Sequence, residues 1–363
     1  MGKTLDLDQL DFLTEPEAVD VTVDTEKPKR KKRKKKKKGK TGPVYGHSLK
    51  SCKTPEEVES WLLTGNTTFQ ELALKSALRK KLPSDQWDAL DALVKVPGAT
   101  SDPILLDPGI QLSAYQQLHE SLVAVSHISD NKIEFAFVTI IDGRFETSDH
   151  NTELDFYDLQ ALARRILSKM APNYFGVIEL ALFNSHKHQS GGRLVSPHGH
   201  AIIWGEDVLA KACAIASQFQ SKITPNTTGA KPVVVEWVDP DPVNLARMAA
   251  YLFKSPDKCK TFYPGREGKA GNTHHSRKSD RLVRYLRHAE IRSMLTFKDV
   301  TFASGEGLAL RSGIGKSLRI LAQEQARKAE RRFHPAEIPS LWVALKVSMG
   351  TTRFNLPIIK RTK

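Results

Sequence analysis

His198 and His200, two residues apart, stand between Pro197 and the apolar run Ala201-Ile-Ile-Trp204. Side chains alternate across a β-strand, so positions 198 and 200 project from one face and can share a metal ion. Further along, Tyr251-Leu-Phe-Lys254 sets a phenol and an ammonium at i and i+3, neighbours on one side of a helix. Such a pair suits attack on a phosphodiester and the steadying of its charge. A tyrosine hydroxyl titrates at about pH 10, so it needs either its anion favoured or the charge on the attacked phosphate stabilised. A divalent cation does the second. Mixed nitrogen and oxygen ligation favours Mn²⁺ on affinity, while Mg²⁺ is usually the more available ion.

A third ligand is expected. Glu179 is the first candidate, because in Gly176-Val-Ile-Glu-Leu180 its neighbours are mostly apolar and a carboxylate buried in a strand calls for a cation. His186 and His188 form a rival His-x-His pair, ranked lower because His-Lys-His-Gln-Ser-Gly-Gly reads as a polar loop. With 12 histidines in the chain the spacing alone says little, and the apolar strand around His198 and His200 gives it weight. The alternatives are satisfied structural histidines, a Glu179 paired with a nearby Arg or Lys, and a tyrosine that merely packs.

The positioning elements follow from hydrophobic period. Gln111 to Ser126 reads as a helix, Ile133 to Ile141 as a strand, and Phe156, Leu159, Leu162, Ala163, Ile166, Leu167 and Met170 as one helix face stopped by Pro172. Tyr174 to Phe183 is a second strand, followed by a polar loop, Asn184 to Ser196, and by the His198 strand, which closes at Gly205. A helix from Asp207 to Lys222, a strand Val233 to Val238, and a helix capped by Asp241-Pro242 complete the order βαββαβα. This predicts an α+β fold: a ferredoxin-like, split βαβ antiparallel sheet with helices on one face, the other left open for a site, and helical flanking segments. His198, His200, Ile202 and Trp204 should share that open face, with Gly199, Ala201 and Ile203 on the other. In the last helix Leu245, Met248, Ala249 and Leu252 form a core stripe, leaving Asn244, Arg247, Tyr251 and Lys254 to meet substrate.

Charge divides the chain. Of the net +14, the excess lies in residues 254–363, whereas 41–253 are mildly acidic. Lys29 to Lys38 is unbroken Lys and Arg. Residues 1–44 therefore read as a disordered acidic, then polybasic arm, 45–110 as a helical segment with no legible task, 111–256 as the catalytic unit, and 257–363 as a basic, mainly helical segment that grips a polyanion. The 3 cysteines are too far apart for a disulfide framework or zinc knuckle. No stretch reaches the roughly 18 apolar residues of a membrane span. The expectation is a soluble protein without a membrane partner, cytoplasmic in a bacterial host and nuclear in a eukaryotic one.

Taken together, Phe137-Val-Thr139-Ile-Ile, His198-Gly199-His200 and Tyr251-Leu-Phe-Lys254 resemble, in order, the three motifs of the HUH endonuclease superfamily, and within it the initiator (Rep) proteins of rolling-circle plasmid replication. The resemblance covers roughly residues 130–256, and joint order carries it. It implies a site-specific single-strand nick at an origin, leaving a 5′-phosphotyrosine on the protein and a 3′-hydroxyl to prime synthesis. Tyr251 would be the nucleophile, Lys254 a phosphate-positioning group, His198 and His200 the ligands of Mg²⁺ or Mn²⁺, and Glu179 the acidic third ligand some members have. Gly199 departs from the family's bulky middle residue. No Gly-x-x-x-x-Gly-Lys-Ser/Thr follows, so the partners implied are single-stranded origin DNA with its flanking duplex, a host helicase and a polymerase. A transposase or mobilisation relaxase shares these motifs, and a non-enzymatic RNA-recognition sheet shares the βαββαβ order.

Overall fold

The computed structural model describes residues 47–80, 103, 105–128, 133–149, 153–154, 156–255, 260–263, 272–275, 282–293, 295–332 and 358–359. The polybasic run lies outside them. Along the chain come α1 (Pro55–Lys80), α2 (Pro108–Ile128), β1 (Glu134–Ile141), the short β2 (Thr147–Ser148) and β3 (Glu153–Leu154), α3 (Phe156–Met170), β4 (Asn173–Lys187) and β5 (Arg193–Gly205). Then follow α4 (Val208–Phe219), β6 (Val233–Val238), α5 (Pro242–Phe253), β7 (Lys260–Tyr263), β8 (Asn272–His275), α6 (Leu282–Ser293), α7 (Phe297–Val300), β9 (Thr301–Ser304), α8 (Glu306–Arg332) and β10 (Ile358–Ile359).

The protein is α+β, and the middle of its sheet runs β6-β1-β5-β4 with every neighbour antiparallel, the order of a split βαβ unit. β9 joins β4 antiparallel, and β7 meets β4 in parallel at Phe183↔Lys260 before pairing with β8. Helix α3 forms where the sequence pattern places it, because all its apolar i, i+3 and i+4 positions are buried against the sheet. Helix α5 starts at Pro242, with the Asp241 carboxylate accepting from the amides of Val243 and Asn244.

Register separates the two faces of the sheet. Glu179 lies opposite His198, Thr139 opposite His200, and Phe137 opposite both Ile202 and Glu236, so these side chains share one face. Gly199, Ala201 and Ile203 point the other way. A Cβ on Gly199 would lie 3.7 Å from that of Ala163 in α3, which identifies the helix-covered face.

Two expectations change. The loop between β4 and β5 is short: the strands continue to Lys187 and from Arg193, turning through Gly191 and Gly192, both at positive φ. Leu182 and Phe183 pair with Val195 and Leu194, which holds together a hairpin that polar side chains had disguised. The second face, expected to be open, is crossed by α5. Small residues Ala246, Ala249 and Ala250, all buried, let this helix approach closely; α1 and α2 pack against it, and α6 packs against α1.

Candidate functional site

The pleat and helix α5 bring the chemical residues together. His200 lies between two partners: its Nδ1 is 3.0 Å from the Thr139 hydroxyl, and its Nε2 is 2.9 Å from Glu179 Oε2. The other carboxylate oxygen, Oε1, is 3.7 Å from Lys254 Nζ. That ammonium also sits 3.7 Å from the centroid of the Tyr251 ring. The Tyr251 ring meets His200 edge-on at 5.3 Å and Phe137 at 5.4 Å, and His198 stands 6.0 Å from His200 between ring centres. Thus Tyr251, Lys254, Glu179 and His200 form one chain of contacts, with His198 beside it. The Glu179 and Lys254 side chains keep 20% and 19% of their surface, and Tyr251 is half-buried, so the cluster has a way out to solvent.

Burial pushes the Tyr251 phenol above its ordinary range, and the Lys254 ammonium pulls it back while Glu179 adds to the rise. The lysine is therefore the group in the cluster that favours a phenolate. Glu236, which the sequence reading passed over, lies on the same face and is pushed up to about 7 by burial, with Lys50 opposing. The signal was present: in Val233-Val-Val-Glu-Trp-Val238 it is the one charged residue of an apolar strand, the same clue that singled out Glu179.

Among the described residues no group of three His, Cys, Asp or Glu side chains is arranged to hold an ion. Two donors are in place. The 2.9 Å between His200 Nε2 and Glu179 Oε2 is about the separation of adjacent ligands on an octahedral ion with bonds of about 2.1 Å. His198 projects from the position opposite Glu179, and Thr139 fixes the His200 ring through its far nitrogen, as an outer partner of a ligand does. His198, His200 and Glu179 supply two imidazoles and a carboxylate on one face of the sheet, donor types that a divalent cation accepts. Of the rival pair, His188 sits at the hairpin with Nδ1 engaged by the hydroxyl and amide of Ser190, and the His186 side chain lies outside the described residues.

The helical layer holds the turn that carries Tyr251 and Lys254. Lys254 is not in the helix, as its spacing from Tyr251 predicted, but one step beyond it in an extended conformation. The cause is in α1: Asn66 donates to the Phe253 carbonyl at 3.3 Å and accepts from the Ser255 amide at 2.7 Å, which ends the helix there. Gln111 of α2 donates to the Ser255 hydroxyl, and Arg292 of α6 to the Lys254 carbonyl. The Lys254 side chain then folds back over Tyr251. Asn244 and Arg247, expected to face substrate, are structural: Arg247 donates to the carbonyls of Lys50 and Cys52 and to Asn244 Oδ1 at 2.8 Å. Sequence spacing carried no sign of either clamp, since their partners are distant in the chain.

Compared with protein-family models, with curated proteins and with solved structures, the chain matches none. Among the described residues no helix is long and apolar enough to cross a membrane.

Proposed function

We propose that the protein is a metal-dependent DNA nicking-joining enzyme of the HUH type, using Tyr251 as nucleophile to cut one strand at an origin and start rolling-circle plasmid replication. The observation that carries this reading is the contact chain Tyr251, Lys254, Glu179 and His200, in which a phenol lies beside both an ammonium and a histidine–carboxylate pair. In the step, Tyr251 Oη bonds to phosphorus and the bond from phosphorus to the 3′ oxygen breaks. The phenolic proton leaves and a proton arrives on the departing oxygen, giving a 5′-phosphotyrosine and a free 3′-hydroxyl. Lys254 balances charge on the phenolate and the attacked phosphate, and Thr139 keeps the His200 imidazole turned to Glu179. A divalent cation, Mg²⁺ or Mn²⁺, held by His198, His200 and Glu179 would polarise a non-bridging phosphate oxygen. Unwinding and synthesis fall to a host helicase and polymerase. A transposase or relaxase would use the same step on other DNA.

The reading as an RNA-recognition sheet has less support. It needs aromatic side chains open to stack bases, and Phe135 and Phe137 are 0% and 2% exposed.

The test is a covalent adduct. Full-length protein is incubated with Mn²⁺ and 3′-labelled single strands tiling the DNA that encodes and flanks the chain. A labelled band that survives denaturant, and is lost with chelator or in Tyr251→Phe, is the expected result. No band, or an undiminished band in Tyr251→Phe, overturns the proposal.

A further inference from the structure

Where α7 meets α8 lies a groove of about 370 Å³, within the size range of ligand pockets, built from residues that the nicking chemistry does not use. Its accessible apolar side chain is Leu308, 53% exposed, and Gly315, two turns on along the same side of α8, adds no side chain to fill the space. Lys298, Arg311 and Arg319 stand around these, and no acidic side chain lines the groove. Ile320, also more than half exposed, follows Arg319 and carries apolar surface past the end of the groove.

The cations there are short of partners. Arg311 donates to the Thr301 hydroxyl at 2.9 Å and to the Lys298 carbonyl at 3.1 Å, while Arg164 of α3 donates to Gln160, whose own amide reaches the Asp299 carbonyl. Both guanidinium groups are thus tied to the α7 turn, and Arg311 is held below its ordinary range by burial first and by Arg164 second. Asp299, the carboxylate of that turn, accepts from the Thr296 amide and hydroxyl. Among the described residues none of Arg164, Lys298, Arg311 and Arg319 makes an ion pair. Like charges held half-buried without an anion are a standing cost that a bound acidic group relieves.

The chain itself contains a segment of complementary chemistry. Leu5-Asp-Leu-Asp-Gln-Leu-Asp-Phe-Leu13 holds five apolar side chains and three carboxylates with no Lys or Arg, and lies outside the described residues. We propose that residues 5–13 dock in this groove, with their leucine and phenylalanine side chains on Leu308 and their aspartates among Arg164, Lys298, Arg311 and Arg319. Arginine clusters recognise acidic motifs in this way, and the apolar contact adds what an exposed ion pair lacks. The chain from residue 14 to 46 spans up to about 110 Å when extended, enough for an intramolecular contact. Tethering holds the segment at up to about millimolar effective concentration, so weak docking suffices. The run Lys29 to Lys38 attracts the same aspartates but offers no apolar seat. Docking covers cations that a polyanion would otherwise meet, so the segment and DNA compete for this end of the chain.

The test uses the full chain, without metal or DNA, and a carbodiimide, which joins a carboxylate directly to an ammonium in contact with it. Proteolysis and mass spectrometry of the single-chain band from a denaturing gel should find Asp6, Asp8 or Asp11 joined to Lys298. The Glu179 and Lys254 pair, 3.7 Å apart, serves as internal reference. Relative to it, the triple variant Leu7→Ser, Leu10→Ser and Phe12→Ser, which keeps every charge and alters none of the described residues, should lower the Lys298 product about ten-fold. Leu308→Ser should do the same, whereas Leu63→Ser, at an exposed leucine of α1, should leave the product unchanged. Absence of the Lys298 product, its persistence in the triple variant, or its appearance only between two chains overturns the proposal. None of these readings needs strand cleavage, so the docking and the nicking account fail independently.

Discussion

The two faces of one sheet do opposite work. Toward α3 the strands present Ala136, Val138, Ile140, Ala201 and Ile203, all buried, and Gly199 against Ala163. Toward α5 the alternating positions of the same strands present Thr139, His198, His200, Glu179 and Glu236. The apolar face sets register, because a slip of one residue would move its whole set to the polar side. The chemical face inherits its geometry from that register, and this is how polar side chains can be held within hydrogen-bonding distance while contributing little to the fold. It follows that changes at His200 should alter activity at constant stability, and changes on the apolar face should do the reverse.

The largest expected effect is on the chemical face. His200→Ala should lower adduct formation about 10³-fold, the scale of lost metal-assisted charge stabilisation, with little change in Tm; parallel loss of Tm and activity would make His200 structural. Next comes pH sensitivity behind that face. His288 of α6 is 4% exposed, its Nε2 has no hydrogen-bond partner among the described residues, and its pKa is pushed down to about 3 by burial and by Arg292. The unfolded chain takes up this proton first as pH falls from about 6.5 toward 3, so stability should drop across that window by up to about 4 kcal/mol. His288→Leu should flatten the drop in a chemical-denaturation series, and an unchanged slope would place the sensitivity elsewhere.

On the apolar side, Gly176→Val drives a Cβ to within 2.3 Å of the buried Phe302 ring and should cost about 2–3 kcal/mol, read as a lower denaturation midpoint. Activity per folded molecule should hold. Glu236 gives a smaller effect of opposite pH sign to His288. With its pKa raised to about 7, the folded state keeps a proton that the unfolded state has released, so stability falls as pH rises through 7. Glu236→Gln should therefore stabilise by on the order of 1 kcal/mol at pH 8 and by nothing measurable at pH 5, after discounting for its partial exposure. The smallest change belongs to Gly199→Ala: its Cβ meets only ordinary contacts, so stability should move by less than about 0.5 kcal/mol and adduct formation not at all.

Local pattern made most of the sheet readable. The period of Phe156 to Met170, the alternation through β1 and β5, and the Asp241-Pro242 cap each state their element in consecutive residues, and alternation alone put His198 and His200 on one face, whereas only the strand register brings Glu179 to it. What stayed hidden depends on partners far along the chain. Asn66 ends α5 and sends Lys254 out of the helix through bonds to Phe253 and Ser255, which no window around Tyr251 contains. The same holds for β9, whose pairing with Tyr174 to Val177 brings Phe302 over Gly176. Residues 55–80, without a visible task in sequence, are thereby part of what aims the site. Glu236 is a different case, readable by the rule that found Glu179.

The most direct measurement is the identity of the residue that carries DNA. After incubation with Mn²⁺ and the nicked strand, proteolysis and mass spectrometry should find the 5′-phosphate ester on the peptide that contains Tyr251, on its phenol. An ester on Tyr263 or Tyr285, or no modified peptide from protein shown to bind the strand, would contradict the account.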